Sequence, residues 1–144
     1  MTRPTPFLHQ ASCVAINGRA VLIEGAPGTG KSSLALTLID RGAMLVGDDG
    51  VRLTARDGLL MAAPPPNTAG MIEIRNLGIA RMEPCAAPVA LAIMLDSAAP
   101  RFIEHAEQTQ RVGVTVPLVR LWPESPVLAL RAEWALRLYG LVLD

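Results

Sequence analysis

Short apolar runs, separated by glycine and asparagine turns, dominate the hydrophobic and polar pattern of this chain. Two of these runs, 12–16 and 19–24, flank Asn17-Gly18, a dipeptide that is typical of a two-residue β-hairpin turn. Residues 33–41 are instead rich in helix formers with apolar side chains at helical spacing, and Gly42 follows as a C-cap. The pattern therefore predicts a hairpin followed by a helix, as at the start of an α/β fold.

Further along the chain, strand-like runs recur between turn residues. The run 43–47 is apolar throughout, which predicts a fully buried strand parallel to the strand over 19–24. The other strand predictions rest on apolar or alternating runs: a hairpin of 51–55 and 59–62, an edge strand over 71–81, a buried strand over 88–96, and a strand over 114–121 interrupted or edged by Pro117. Segment 64–70, with its three prolines, is predicted to be a surface connector within one domain. Segment 100–113 is predicted to be a loop with a helical turn.

The C-terminal residues predict a second helix. Ser125 is placed to cap its N-terminus, and Pro126 falls in the first turn, where a missing N–H is tolerated. Five apolar side chains keep helical spacing, and we expect this stripe to pack on the sheet: Val127, Leu130, Trp134, Leu138 and Leu141.

The composition fits a single domain over residues 1–144. Apolar residues make up 51% and charged residues 18%, which argues against disorder. The 13 basic and 13 acidic side chains balance, which gives no sign of a nucleic-acid or membrane surface. The N-terminal residues lack a signal-peptide core, and the apolar runs are too short to span a bilayer. We therefore expect a soluble cytoplasmic protein, without membrane insertion, in which Cys13 and Cys85 are small core residues.

The candidate chemistry begins where the second predicted strand ends. Residues 25–32 follow the pattern G-x-x-x-x-G-K-S, which is typical of a nucleoside triphosphate-binding phosphate loop. Glycines let backbone N–H groups curl around phosphate oxygens, and the N-terminus of the next helix adds partial positive charge. Lys31 is expected to reach the β- and γ-phosphates, and the Ser32 hydroxyl to bind Mg²⁺. The candidate nucleotide-binding residues are Gly25, Ala26, Pro27, Gly28, Thr29, Gly30, Lys31, Ser32 and Ser33.

Two adjacent carboxylates, Asp48 and Asp49, follow the strand predicted over 43–47. Ligands collect at the carboxyl ends of strands in parallel α/β sheets, so both acids are expected beside the phosphates. Such a pair suits two tasks, which are holding Mg²⁺ or its water and accepting a proton from a nucleophile. The alternative is an ordinary Asp-Asp-Gly turn, because Gly50 follows.

In combination, these pieces resemble the catalytic domain of HPr kinase/phosphorylase. That family shows a histidine before a hairpin, the phosphate loop, a strand ending in Asp-Asp, and a Glu-Ile-Arg-Gly-Leu-Gly-Ile signature. The matching residues here are His9, 25–32, Leu45-Val46-Gly47-Asp48-Asp49 and Glu73-Ile74-Arg75-Asn76-Leu77-Gly78-Ile79. The resemblance extends over residues 9–121 and looks strongest to short, single-domain members. It implies a P-loop NTPase-like (phosphoenolpyruvate-carboxykinase-like) α/β fold, with a mixed sheet, flanking helices and β-hairpins.

The resemblance implies a serine kinase that phosphorylates HPr, a small phosphocarrier of the sugar phosphotransferase system, and that can also remove the phosphate. The implied cofactors are ATP and Mg²⁺, with Lys31 on the phosphates and Ser32, Glu73 and Asp49 on the metal. The implied partner is an HPr-like phosphocarrier, and the implied assembly is a homo-oligomer such as a hexamer.

The remaining implied roles concern the proton and the transferred charge. The Asp48/Asp49 pair supplies the general base, and the resemblance leaves open which acid it is. His9 assists at the site, Arg75 lines it from within the signature, and Arg111 stabilises the transferred charge. These roles make physical sense because phosphoryl transfer depends on positioning and on neutralising developing charge.

Two alternative functions stay open. The first is a small-molecule P-loop kinase, although such enzymes usually carry an arginine-rich lid and residues 100–113 offer only two arginines. The second is a non-catalytic sensor in which bound ATP changes the association with a partner, and the departures Pro27 and Ser33 from the family's loop pattern keep it open. A GTPase switch is disfavoured because the chain has no Asn-Lys-x-Asp segment.

Overall fold

A computed structural model describes residues 7–143, and these contain eleven strands and two helices. The strands are β1 (Phe7–His9), β2 (Ser12–Ile16), β3 (Arg19–Gly25), β4 (Met44–Gly47), β5 (Val51–Arg56), β6 (Leu59–Ala63), β7 (Met71–Ile74), β8 (Gly78–Arg81), β9 (Ala87–Leu95), β10 (Glu107–Arg111) and β11 (Val114–Leu121). The helices are α1 (Lys31–Asp40), between β3 and β4, and α2 (Leu128–Tyr139), after β11. The predicted lack of a signal peptide concerns mainly residues 1–6, which lie outside the described residues.

The main sheet has nine strands in the order β1-β5-β6-β9-β3-β2-β4, and β11 joins it at β9 with β10 beside it. β3 runs parallel to β9, with Gly25 opposite Leu95, and β9 runs parallel to β11. The other ladders of this sheet are antiparallel. The fold is therefore mixed α/β, as predicted, and its parallel centre consists of apolar strands that are buried on both faces.

Both predicted hairpins are present, because β2 pairs with β3 and β5 pairs with β6. β4 runs in the same direction as β3, but β2 lies between them and pairs antiparallel with both. β4 is thus the edge of the sheet, and Met44 at its start is exposed, which corrects the prediction of a fully buried strand. Since β3 and β4 point the same way, the residues that follow them still lie at one edge of the sheet.

Residues 71–81 form a hairpin of their own and not one edge strand. β7 and β8 pair as a separate two-stranded sheet, with Glu73 opposite Ile79. The turn between them includes Asn76, whose φ of 73° lies in the left-handed region that asparagine tolerates better than most residues. The alternating pattern is the same for one long strand and for two short ones, so only the turn distinguishes them.

The segment predicted as a loop with a helical turn instead ends in a strand. β10 pairs antiparallel with β11, with Thr109 opposite Val116, and the described residues from 100 to 113 contain no helical turn. The side chains of β10 are polar and largely exposed, so the strand lacks an apolar pattern. β11 continues through Pro117, which directly precedes Leu118, the first residue that pairs with β9. The missing N–H of Pro117 therefore removes no bond to β9.

The helix α1 packs as predicted. Its buried residues Leu34 and Leu38 contact the core on the face of the sheet that also contains Val21 and Ile23. Gly42 follows the helix with a φ of 111°, as expected of a glycine at a helix C-terminus. Cys13 lies in the core on the other face, whereas Cys85 is only partly buried.

The helix α2 packs through a different face from the predicted one. Its buried residues are Ala129, Ala132, Ala135 and Leu136, whereas the predicted stripe is exposed, up to 65% at Leu138. Three of these four buried residues are alanines, whose small side chains let the helix axis approach the sheet closely.

The start of α2 also differs from the prediction. The helix begins at Leu128 with Val127 as N-cap, and the Ser125 hydroxyl accepts a hydrogen bond from the Val127 N–H at 3.2 Å in the turn before it. Among residues 7–143, no helix is both long and apolar enough to cross a membrane.

Candidate active site

The glycine loop connects the end of β3 to the start of α1, which is the order that the motif requires. Gly30 is the N-cap of α1 in a left-handed conformation (φ 97°), and no side chain caps the helix. The N–H groups of the first helical turn therefore remain available to an anion. Lys31 Nζ donates to the carbonyl oxygens of Gly25 at 2.8 Å and Ala26 at 3.5 Å, so the ammonium lies over the loop.

A cavity of about 350 Å³ opens beside this loop, within the size range of small-ligand sites. Its lining residues come from the β1–β2 connection, the loop, the Asp-Asp turn and the β7–β8 hairpin: Gln10, Gly25, Pro27, Gly28, Gly30, Lys31, Ser32, Ser33, Asp48, Asp49, Glu73 and Arg75. Of these, sequence reasoning missed only Gln10. Ala26 and Thr29 instead stabilise the loop internally, because the Thr29 hydroxyl donates to the Ala26 carbonyl at 2.8 Å.

Asp48 is held on both carboxylate oxygens. Its Oδ1 accepts hydrogen bonds from the Ser32 hydroxyl at 2.5 Å and the Ser12 hydroxyl at 3.2 Å. Its Oδ2 accepts a hydrogen bond from the Glu73 N–H at 3.2 Å, which attaches the β7–β8 hairpin to the site. The carboxylate is thus fixed in orientation at the end of the phosphate loop.

Asp49 differs from its neighbour in exposure and backbone conformation. Its φ of 57° is in the left-handed region, and its side chain is exposed. Gly47 permits this tight turn, since a Cβ at that position would collide with the Gly50 carbonyl oxygen. Asp48 and Asp49 also line a second, smaller cavity of about 220 Å³ with Met71 and Ile79.

The acidic side chains fit the way in which proteins bind Mg²⁺. Residues 7–143 contain no cluster of three or more histidine, cysteine, aspartate or glutamate side chains close enough to enclose a metal ion. Mg²⁺ rarely needs such a cluster, because it keeps several waters and takes one or two carboxylates together with substrate phosphates. Ser32, Asp49 and Glu73 line the same cavity, where they could supply a hydroxyl and two exposed carboxylates for this purpose.

Next to the cavity, Glu24 joins His9 and Arg111. The guanidinium of Arg111 donates to both Glu24 oxygens, at 2.6 and 2.9 Å, and His9 Nε2 lies 2.6 Å from Oε2. Burial by itself raises the pKa of Glu24, but the hydrogen bonds and charges of His9 and Arg111 outweigh it and lower the pKa to about 2. Glu24 is therefore a carboxylate at neutral pH.

His9 and Arg111, predicted as site residues, are brought together but do not line the cavity. Sequence reasoning missed Glu24 and Ser12 as well. The sequence did contain a signal for Glu24, which is a charged residue between the apolar run 20–23 and the loop. No comparable signal marks Ser12.

The fold and this site together define the chain as a mixed α/β domain with a glycine-rich strand-to-helix loop that faces two adjacent carboxylates. The family model for the HPr Serine kinase C-terminal domain matches residues 5–85. The chain therefore belongs to that family, which confirms the resemblance that the motifs indicated.

Individual relatives agree with this assignment. An HPr kinase/phosphorylase of Clostridium botulinum (strain Eklund 17B / Type B) is 46% identical over 76 residues, which cover 53% of this chain and 25% of the relative. An HPr kinase/phosphorylase of Clostridium perfringens (strain SM101 / Type A) is 40% identical over 110 residues, which cover 76% of this chain and 34% of the relative. This chain therefore spans no more than about a third of the length of these relatives.

A solved structure extends the likeness to the fold. The Hpr(Ser) kinase/phosphatase from Coxiella burnetii is 28% identical and superimposes with a TM-score of 0.80, over 91% of this chain and 88% of that one.

Proposed function

We propose that this chain is an ATP- and Mg²⁺-dependent kinase that phosphorylates a serine of an HPr-type phosphocarrier protein. The observation that carries this proposal is the position of Asp48, whose carboxylate bonds the phosphate-loop Ser32 at the edge of a cavity that also holds Lys31. The names of the relatives, HPr kinase/phosphorylase and Hpr(Ser) kinase/phosphatase, support the same activity and acceptor.

The glycine loop binds the phosphates of the nucleotide. Backbone N–H groups from Gly28 to Ser33 bind the phosphate oxygens, and Lys31 leaves the Gly25 carbonyl to pair with the β- and γ-phosphates. The Ser32 hydroxyl and the exposed carboxylates of Asp49 and Glu73 would hold Mg²⁺. When bound, that ion neutralises charge on the triphosphate.

Asp48 acts on the acceptor serine as the general base. Three donors fix its carboxylate, and it lies where the nucleotide cavity meets the second cavity, from which an acceptor hydroxyl can approach. Asp48 takes the serine proton as the hydroxyl attacks the γ-phosphorus atom, and the bond from that atom to the bridging oxygen of ADP breaks. Arg75 lines the same cavity and stabilises the charge of the transferred group.

The proposal extends to the finer features of the fold and assembly. The parallel centre and the strand-loop-helix order support a P-loop NTPase-like fold of the phosphoenolpyruvate-carboxykinase-like kind. We further propose one catalytic domain over residues 1–144 that forms homo-oligomers, which sedimentation velocity can measure. Localisation in the cytoplasm stays a prediction.

The direct test is phosphate transfer from radiolabelled ATP to a purified HPr-type carrier, with the same carrier bearing alanine at its acceptor serine as control. We expect Mg²⁺-dependent labelling of the first carrier only. A protein that binds ATP but labels no carrier would instead match the sensor hypothesis, and turnover of a small metabolite without carrier would match the small-molecule kinase.

A further inference from the structure

Glu24 is the one buried charged side chain among the described residues, with 5% of its surface exposed. It is the penultimate residue of β3, in the middle of the sheet and directly before the phosphate loop. A carboxylate at such a position is rarely the most stable choice, because an apolar residue of similar volume often stabilises a fold equally well or better. The charge therefore calls for an explanation beyond stability.

The partners of Glu24 are bound in a defined geometry. Arg111 meets its carboxylate through two parallel N–H donors, and a third nitrogen of the same guanidinium donates to the Thr109 hydroxyl at 2.6 Å and the Gln110 carbonyl at 2.8 Å. This fork fixes the plane of the guanidinium. A carboxylate can only accept, so His9 Nε2 carries the hydrogen in its 2.6 Å bond to Glu24.

Both partners come from short strands at the margins of the sheet. His9 ends β1, which has three residues, and Arg111 ends β10. Within residues 7–143, β1 pairs only with β5 and β10 pairs only with β11. Glu24 connects both strands to the central β3. Gln10 and Gly25 both line the cavity. Gln10 directly follows His9 in the chain, and Gly25 directly follows Glu24, so each member of the His9–Glu24 pair is one position from a cavity-lining residue.

We propose that Glu24 is a positioning residue, which orients Arg111 and His9 at the phosphate-loop edge and thereby keeps Gln10 and Gly25 in place for phosphoryl transfer. This inference rests on the proposed function. The pKa of Glu24, lowered to about 2 by its partners, keeps the carboxylate charged throughout the neutral range.

A double-mutant cycle tests whether Glu24 acts through Arg111. The variants are Glu24→Gln, which keeps the shape and removes the charge, Arg111→Gln, and both together. We expect each single variant to lower kcat about tenfold or more with the KM for ATP within about twofold of wild type, since misplacement affects the transition state most. We expect the double variant to be no slower than the slower single variant. Multiplicative effects, or a wild-type kcat in Glu24→Gln, would overturn the proposal.

The chain offers a matched control in Glu107→Gln. Glu107 pairs with Arg120 at an exposed position at the other end of β10, so the variant removes a carboxylate from an arginine pair without touching the cavity. It should retain wild-type kcat. A tenfold loss in this control as well would show that any disturbance of β10 slows the reaction and would overturn a specific role for Glu24.

An NMR measurement separates this proposal from the proposed function, because it needs no activity. The chain has two histidines, and His105→Gln leaves the His9 imidazole as the single remaining signal. We expect ¹⁵N shifts with a proton on Nε2 in the otherwise wild-type chain, and a mixture of tautomers after Glu24→Gln. If the ¹⁵N shifts are the same with and without Glu24→Gln, the positioning of His9 by Glu24 is contradicted, even in a protein that transfers phosphate. If the shifts change as expected but the protein transfers no phosphate, the result counts against the proposed function alone.

Discussion

The hydroxyl of Ser32 donates a 2.5 Å hydrogen bond to Asp48 Oδ1, although sixteen residues separate them in sequence. The contact joins the first turn of α1 to the end of β4, and these two elements lie at the same edge of the sheet. A hydroxyl beside Lys31 and a fixed carboxylate next to it are the groups that Mg²⁺-assisted phosphoryl transfer requires.

Different consequences are expected from Asp48→Asn and Asp49→Asn. Asparagine cannot accept the serine proton, so Asp48→Asn should lower kcat by roughly 10²–10⁴-fold while ATP binding changes little. Asp49→Asn removes a proposed metal ligand and should mainly raise the Mg²⁺ concentration needed for half-maximal rate. Steady-state kinetics across a Mg²⁺ titration would check both, and interchanged effects of the two variants would reverse the assigned roles.

Lys31 is the only lysine of the chain, which allows a direct binding test. We expect MgATP to protect Lys31 from acetylation by an amine-reactive reagent, because its ammonium becomes paired with phosphates. Mass spectrometry would report the modified fraction at Lys31, with the N-terminal amine as internal control. Equal modification of Lys31 at zero and millimolar MgATP would contradict nucleotide binding at the loop.

Gly30→Ala should weaken nucleotide binding through the backbone alone. A Cβ at Gly30 meets no atom within 4 Å, but its φ of 97° is unfavourable for alanine by roughly 1–2 kcal/mol. Relaxation of that strain would displace the N–H groups at the start of α1, which we expect to weaken MgATP binding in calorimetry. Gly58→Ala is the control, because Gly58 (φ 78°) is equally open but lies in the β5–β6 turn; it should lose stability and keep affinity.

Acid should reduce stability partly through Glu24. Its pKa is lowered from 4.5 to about 2 in the folded chain, so as the pH falls the unfolded state takes up the proton first. The contribution of this carboxylate is complete above about pH 5 and is lost towards pH 2. Urea unfolding should therefore show an advantage of wild type over Glu24→Gln that shrinks as the pH falls from about 6 to 3. A pH-independent difference would contradict the lowered pKa.

Two substitutions in α2 distinguish its two faces. Ala132 is 1% exposed against the sheet, so Ala132→Leu should destabilise the fold by about 1–3 kcal/mol through overpacking. Leu138 is 65% exposed, so Leu138→Ala should change the free energy of unfolding by less than about 0.5 kcal/mol. Thermal or urea unfolding would measure both, and the opposite ranking would mean that the predicted stripe packs after all.

Local rules predicted much of the fold and most of the cavity. Asn17-Gly18 fixes a hairpin because few other dipeptides adopt its backbone angles, and the loop over 25–32 fixes a strand-to-helix connection for the same reason. The acids Asp48 and Asp49 could be placed beside the loop because β3 and β4 run in the same direction, even though β2 lies between them.

What the sequence determined by itself was therefore every feature that depends on neighbours along the chain: the turns, the phosphate loop and the Asp-Asp pair. The tertiary structure alone decided which face of α2 packs, where β10 pairs, and that Glu24 joins His9 to Arg111 from 15 and 87 residues away. The physical reason is that close packing and ion pairing depend on the distance between side chains in space. A hydrophobic pattern records which residues can be buried, but it does not record which surfaces fit together.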